Sequence, residues 1–294
     1  MNETMHAKIA GLDCWQSAID IEPLGGGMTN HNFSVTDADQ QFVVRLGEDD
    51  PVHLISRANE TATCRAAFEA GISPELVYTE PGVLVARFIE GKVFEEADVR
   101  IDSNLSRIIE LISRFHQQIP QYFHQVPVIF WVFQVLRHYQ HLLKQGDNPY
   151  RERLIELAKI AATLEQAVGK VNIVFGHNDL LAANFIDDGE KIWLIDFDYA
   201  GFNSPLFDLS NLASNNELSK EQEITMLECY FGAAFNREQW RGYYAMKCAS
   251  LLRETLWSMV SEIHSRIKVD FAEYTRKNLE RFEQAYDGFR HDYL

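Results

Sequence analysis

The sequence predicts an α+β protein of two lobes. Residues 1–90 would form a small, mostly antiparallel β-sheet with one main helix, and residues 91–294 a larger, mainly helical lobe. Three observations carry that reading. In the first ninety residues, short runs such as Val43-Val44-Arg45-Leu46 alternate as strands do and are separated by Gly- and Asp-containing turns. From Gly91 onward the apolar spacing shifts to threes and fours, the period of a helix. No internal repeat, low-complexity tract or flexible linker divides the chain, so the two lobes belong to one compact unit.

The elements follow in order. Residues 1–20 form a short helix leading into the first strand. Residues 21–24 and 31–35 flank Gly25, Gly26, Gly27 and Thr29-Asn30, a strand, glycine turn and strand. Glycines let the backbone approach a ligand, so successive N–H groups can point at phosphate oxygens; the plain alternative is a hairpin. The turn at 37–40 returns the chain into a strand over 41–46, which carries Arg45. An amphipathic helix over 55–70 has Glu60 in its first half and Gly71 as its C′ residue. Strands over 74–79 and 83–89 complete the sheet.

In the helical lobe, Leu105, Ile108, Ile109, Ile112 and Phe115 share one face of a helix over 104–116. The aromatic-rich stretch 122–139 reads as core and lobe packing. Leu154, Leu157, Ala158, Ala161 and Leu164 form the stripe of a helix over 151–168. Residues 172–175 lead into a chemical segment that holds short strands at 185–186 and 192–195. Ser219 and Gln222 make an S-x-x-Q capping box that opens a helix running to Phe235, and two long helices follow over 239–264 and 269–289.

Composition narrows the function classes. Lys and Arg number 27 against 43 Asp and Glu, a net charge of −16. That argues against nucleic acid or anionic membrane as partners and favours a cationic substrate. Cys14, Cys64, Cys229 and Cys248 are scattered, without a CxxC pair or zinc-ligand spacing, and read as reduced thiols of a cytoplasmic protein. The first thirteen residues mix acids with a Lys and lack the apolar core of a signal peptide. The longest uncharged run, 115–136, contains Pro120, Pro127 and several Gln, which argues against membrane insertion.

The chemistry concentrates in residues 175–212. Between His177 and Asp208 stand seven acids and one base, Lys191. Asp187, Asp188 and Glu190 cluster around Gly189 as a solvated turn. Asp179, Asp196, Asp198 and Asp208 instead adjoin apolar residues, where an ionised carboxylate needs a cation or hydrogen-bond donors. Mg²⁺ suits such a site, because it is held by one or two carboxylates plus phosphate oxygens. Asn184 and Asp196 would be its ligands, which leaves Asp179 free to accept a proton.

The run His177, Asp179, Asn184 (H-x-D-x-x-x-x-N) followed by Ile195-Asp196-Phe197 resembles the core of the protein-kinase-like small-molecule kinases, the aminoglycoside phosphotransferase superfamily. The longer strings H-N-D-L-L-A-A-N-F-I, I-D-F-D-Y-A-G and F-D-L-S-N-L-A-S-N closely resemble choline/ethanolamine kinases, as does G-G-M-T-N-H-N-F in the glycine turn. The resemblance implies a two-lobed protein-kinase-like fold and ATP- and Mg²⁺-dependent transfer of the γ-phosphate to the hydroxyl of choline, ethanolamine or a similar amino-alcohol. It makes Asp179, Asn184 and Asp196 catalytic, with Asn184 and Asp196 on the metal. Gly26, Gly27, Thr29, Asn30 and Arg45 would cradle the phosphates, and Glu60 would steady Arg45, which stands where protein kinases carry Lys. The connector, with Phe88 and Ile89, would meet adenine through its backbone. His177 orients the loop rather than transferring protons.

For the acceptor the resemblance implies Asp179 at its hydroxyl and Asp198, Tyr199, Glu254, Trp257 and Tyr274 around its cationic end. Glu254 stands where animal choline kinases carry a second Trp, which also suits a primary amine, and Phe271 replaces a Tyr and reads as core. A homodimer is compatible with the family. Two rivals share the motif, an aminoglycoside or thiamine kinase and a non-catalytic pseudokinase.

Overall fold

The computed structural model describes residues 2–25, 30–145, 148–265 and 270–294. Helix α1 (Asn2–Ala10) precedes β1 (Ile19–Leu24), β2 (His31–Asp37) and β3 (Gln40–Leu46). Helix α2 (Arg57–Glu69) and strands β4 (Leu76–Glu80) and β5 (Val83–Arg87) follow. The five strands form one antiparallel sheet in the order β1-β2-β3-β5-β4. Phe33, Val35, Phe42, Val44, Val83 and Val85 bury one face of it against Ile9 and Leu12. Because side chains alternate, Val43 and Arg45 point to the other face, beside Ala86 and Leu84 of β5. That periodicity is what aims Arg45 into the cleft.

Helix α2 starts at Arg57 rather than at 55, since Ile55 is tied back to Asp50 in a turn and Asp49 accepts the Arg57 N–H at 2.7 Å. Gly71 ends it with φ +67, as expected. Beyond the sheet come β6 (Lys92–Val93), α3 (Glu96–Val99), α4 (Asp102–Tyr122), α5 (Val132–Lys144) and α6 (Leu154–Val168). Helix α4 runs six residues past the expected His116. Pro120 stands in its last turn, and the helix ends two residues later.

Strands β7 (Val174–Gly176), β8 (Phe185–Asp187), β9 (Ile192–Leu194) and β10 (Gly201–Asn203) are short. β7 pairs with β10, and β8 pairs with both β6 and β9. Helix α7 (Pro205–Asn215), which the apolar pattern did not announce, is opened by Ser204 accepting the Leu206 N–H and by Pro205 at its first position. Helix α8 (Lys220–Phe231) has the expected capping box but stops short of Phe235, because Gly232 takes the left-handed C′ conformation, φ +71. Helices α9 (Arg237–His264) and α10 (Phe271–Tyr293) complete the chain. α9 is the central post: α5, α6, α7 and α10 all pack on it. Phe271 lies in that core, as the sequence suggested. Among the described residues no helix is long and apolar enough to cross a membrane.

Candidate active site

The loop after β7 is fixed by α7. Asp208, in the first turn of α7 and fully buried, accepts the N–H groups of His177 and Asn178 at 2.7 Å each and the His116 Nε2 at 2.9 Å. Burial alone would raise its pKa, but those donors and the positive end of the helix hold it below the usual carboxylate range. One turn further along α7, Asn211 Oδ1 accepts the Leu180 N–H at 2.6 Å. Gly176 lets these groups approach closely, since a Cβ would lie 3.1 Å from Asp208 Oδ2 and 3.0 Å from Asn178 Oδ1 and would push them by a few tenths of an ångström. Asn178 is left-handed, φ +67, a conformation that Asn tolerates well, and its Nδ2 donates to Tyr199 O at 2.9 Å and Gly201 O at 3.2 Å.

His177 sits inside this scaffold. Its Nδ1 accepts the Asp179 N–H at 3.3 Å and its Nε2 meets Ile195 O at 3.0 Å, where it must donate. One accepting and one donating nitrogen define a neutral ring, and burial lowers its pKa. It ties the Asp179 loop to the Asp196 segment.

Asn184 completes the tie. Its Nδ2 donates to Asp179 O at 2.8 Å and its carbonyl accepts the Ile195 N–H at 3.0 Å, so Asp179, Asn184 and Asp196 lie on adjoining backbone. Asp196 is left-handed, φ +67, a strained state that such sites often retain. Burial pushes the Asp196 carboxyl up, but Arg45, by charge and hydrogen bond, and Arg57 hold it below its ordinary range. Asp179 behaves oppositely: burial raises it to about 7, even though Nη1 of Arg253 stands 3.3 Å from its Oδ1.

On the sheet side, Arg45 Nη1 reaches Glu60 at 2.7 Å, Asp196 at 2.9 Å and Asp198 at 3.3 Å. A second arginine, unremarked in the sequence, joins it: Arg57 Nη1 lies 2.6 Å from both Glu60 and Asp198, and its Nη2 is 2.6 Å from Asn30 Oδ1. Asn30 also donates to Asp198 at 3.1 Å. Asp198, expected beside the acceptor's cation, stands in this network. Tyr199 is buried in the helical-lobe core, while Asp198 faces the arginines of the sheet side. Gly26, Gly27 and Thr29 lie outside the described residues.

Beside Arg45, Glu60 and Asp196 opens an apolar cleft of about 100 Å³, lined among others by Val43, Leu84, Ala86, Ile89, Ile186 and Phe197. Ile89 is in it. Phe88 is not, and its N–H is spent on Gln41 O at 3.0 Å.

On the opposite side of Asp179, Glu254 accepts Arg253 Nη1 at 2.9 Å and the Tyr274 hydroxyl at 2.7 Å. Trp257 Nε1 donates to the Tyr199 hydroxyl at 3.0 Å, and both rings are buried. The structure therefore brings Asp179, Glu254, Tyr199, Trp257 and Tyr274 together, around an arginine that the sequence reading missed.

Among proteins of known kind, the choline/ethanolamine kinase family model matches residues 21–242. Protein LicA of Haemophilus influenzae is 25% identical over 263 residues, covering 87% of this chain and 76% of that protein. A probable ethanolamine kinase of Arabidopsis thaliana is 29% identical over 212 residues, covering 66% of this chain and 56% of that protein. The crystal structure of a choline/ethanolamine kinase family protein from Mesorhizobium loti superposes with a TM-score of 0.77 at 26% identity, covering 97% of this chain and 94% of that one. With the family match spanning residues 21–242, well over half of its length, the chain belongs to the choline/ethanolamine kinase family.

Proposed function

We propose that this kinase transfers the γ-phosphate of ATP, with Mg²⁺, to the hydroxyl of a small cationic amino-alcohol of the choline or ethanolamine kind. The observation that supports it most is Asn184, which binds the Asp179 carbonyl with its side chain and the Ile195 N–H with its backbone. That arrangement sets the Asp179 segment beside the Asn184 and Asp196 oxygens. The same reading takes residues 1–90 and 91–294 as the nucleotide and acceptor lobes. It also places the protein in the cytoplasm, which suits its four free cysteines.

The donor set fits Mg²⁺. Asp196 offers a carboxylate held ionised by its neighbours, and Asn184 has its Oδ1 left for a cation, since its Nδ2 is spent on Asp179 O. Among the described residues around Asp196, the two arginines Arg45 and Arg57 face the three carboxylates of Glu60, Asp196 and Asp198, a balance that favours a further cation. When bound, the metal would neutralise charge on the phosphate oxygens.

This chain's own residues do the rest. Asp179 orients the acceptor hydroxyl and takes its proton, a task that suits a carboxyl whose pKa is raised to about 7. Arg45, steadied by Glu60, presents its donor fork to phosphate, and the apolar cleft beside Ile89 takes the base. Glu254 meets the acceptor's positive end. Catalysis is then mainly positioning and charge stabilisation.

Assaying ADP release and phosphorylated product with choline, ethanolamine, thiamine and kanamycin under identical conditions tests the reading. Turnover is expected with the small amino-alcohols. Preference for thiamine or kanamycin would move the chain to the rival acceptors, and no phosphoryl transfer at all would make it a binding protein.

A further inference from the structure

The acceptor side holds a cation of its own. The Arg253 side chain is only 2% exposed, whereas those of Asp179 and Glu254 are 20% and 16% exposed. The guanidinium thus lies sealed beneath two carboxylates that reach solvent. It stacks on Tyr199, with Cζ 4.4 Å from the ring centroid. Trp257 is similarly taken: its ring lies 5.0 Å from His53, with Phe271 and Tyr274 edge-on at 6.1 and 6.4 Å, and it is buried. Of the aromatic residues expected here, only Tyr274 stays partly exposed, and its hydroxyl is bound to Glu254.

Two kinds of organic cation ask different things of a site. A quaternary ammonium has no N–H and is held by aromatic faces, each worth about 0.5–2 kcal/mol according to desolvation. A primary ammonium carries three N–H donors and is held by oxygens. A carboxylate has about four lone-pair positions, and Glu254 spends two of them in the contacts above, on Arg253 and Tyr274. Asp179, Glu254 and Arg253 together carry a net charge of −1 when all are ionised, which one monocation balances.

We propose that Arg253 determines acceptor selectivity: it fills the Tyr199 face that a quaternary ammonium would need, so that the site takes a primary ammonium through Glu254 and Asp179 and discriminates against N-methylated ones. The inference rests on the functional reading above and narrows it.

The test is the series ethanolamine, N-methylethanolamine, N,N-dimethylethanolamine and choline, with the wild-type protein, ATP and Mg²⁺. kcat/KM falls along the series, by about tenfold or more from end to end, the equivalent of one lost aromatic contact. Choline used as well as ethanolamine overturns the proposal. Calorimetric binding of the two end members in the presence of ADP separates this from the question of activity. A protein that turns over nothing yet binds ethanolamine about tenfold more tightly than choline contradicts the enzymatic reading and upholds the selectivity, and equal binding overturns the selectivity itself. In Arg253→Met, shown folded by circular dichroism, the choline-to-ethanolamine ratio of kcat/KM rises about tenfold, a readout that loss of packing alone does not move. An unchanged ratio removes Arg253 as the determinant.

Discussion

Nη1 of Arg57 stands 2.6 Å from Oδ1 of Asp198, joining the first turn of α2 to the segment that carries Asp196 across 141 residues of sequence. The same nitrogen is 2.6 Å from Glu60, and Nη2 holds Asn30. Truncating Arg57 would remove one of the two arginines facing these buried carboxylates and leave Arg45 to balance both, and hydrogen bonds to charged groups contribute about 1.5–3 kcal/mol each. Arg57→Ala should therefore melt well below wild type and show a raised KM for ATP with a smaller change for the acceptor. Equal effects on both KM values would argue against a place on the nucleotide side.

Asp208 should be as sensitive without touching substrate. It takes two backbone N–H groups and His116 Nε2 in a dry setting, and hydrogen bonds to a charged group contribute about 1.5–3 kcal/mol each. Asp208→Ala is expected to lose several kcal/mol, to speed amide exchange at His177 and Asn178, and to lose activity through the displaced Asp179 loop. Slow exchange at both amides in the variant would show that the loop does not depend on this carboxylate.

Much of this was legible in the sequence. Alternation in β3 fixed the face of Arg45, and the spacing of His177, Asp179, Asn184 and Asp196 survived into one cluster. Arg57 and Arg253 were not legible for a physical reason. An Arg three residues before a Glu on a helix is ordinarily a solvated pair, and only the approach of β3 and Asp198 makes it a buried network. Arg253 becomes buried because α5, α6, α7 and α10 close around α9, which periodicity along α9 alone does not reveal. The pairing of Asp198 with Arg45 and Arg57 was likewise not legible, since it needs β3 and α2 to meet the segment after Asp196.

Acid should weaken the fold partly through His53. Burial lowers its pKa from 6.5 to about 4, opposed by Asp50 and aided by Arg253, His264 and His138. A depressed histidine pKa means that the unfolded chain binds the extra proton between those values. The stability it contributes is full above pH 6.5 and lost progressively as pH falls towards 4, by up to about 3 kcal/mol. Urea unfolding of wild type and His53→Gln from pH 7.5 to 4.5 checks this: the variant should show the shallower decline. Parallel curves would assign the acid sensitivity to other groups.

The central claim is that Asp179 is the carboxylate that handles the acceptor's proton. The most direct measurement is Asp179→Asn, with ADP affinity by calorimetry and kcat at saturating ATP and ethanolamine or choline. Unchanged nucleotide affinity with kcat lowered on the order of 10²–10⁴ is the predicted result. Turnover near that of the wild type would contradict it.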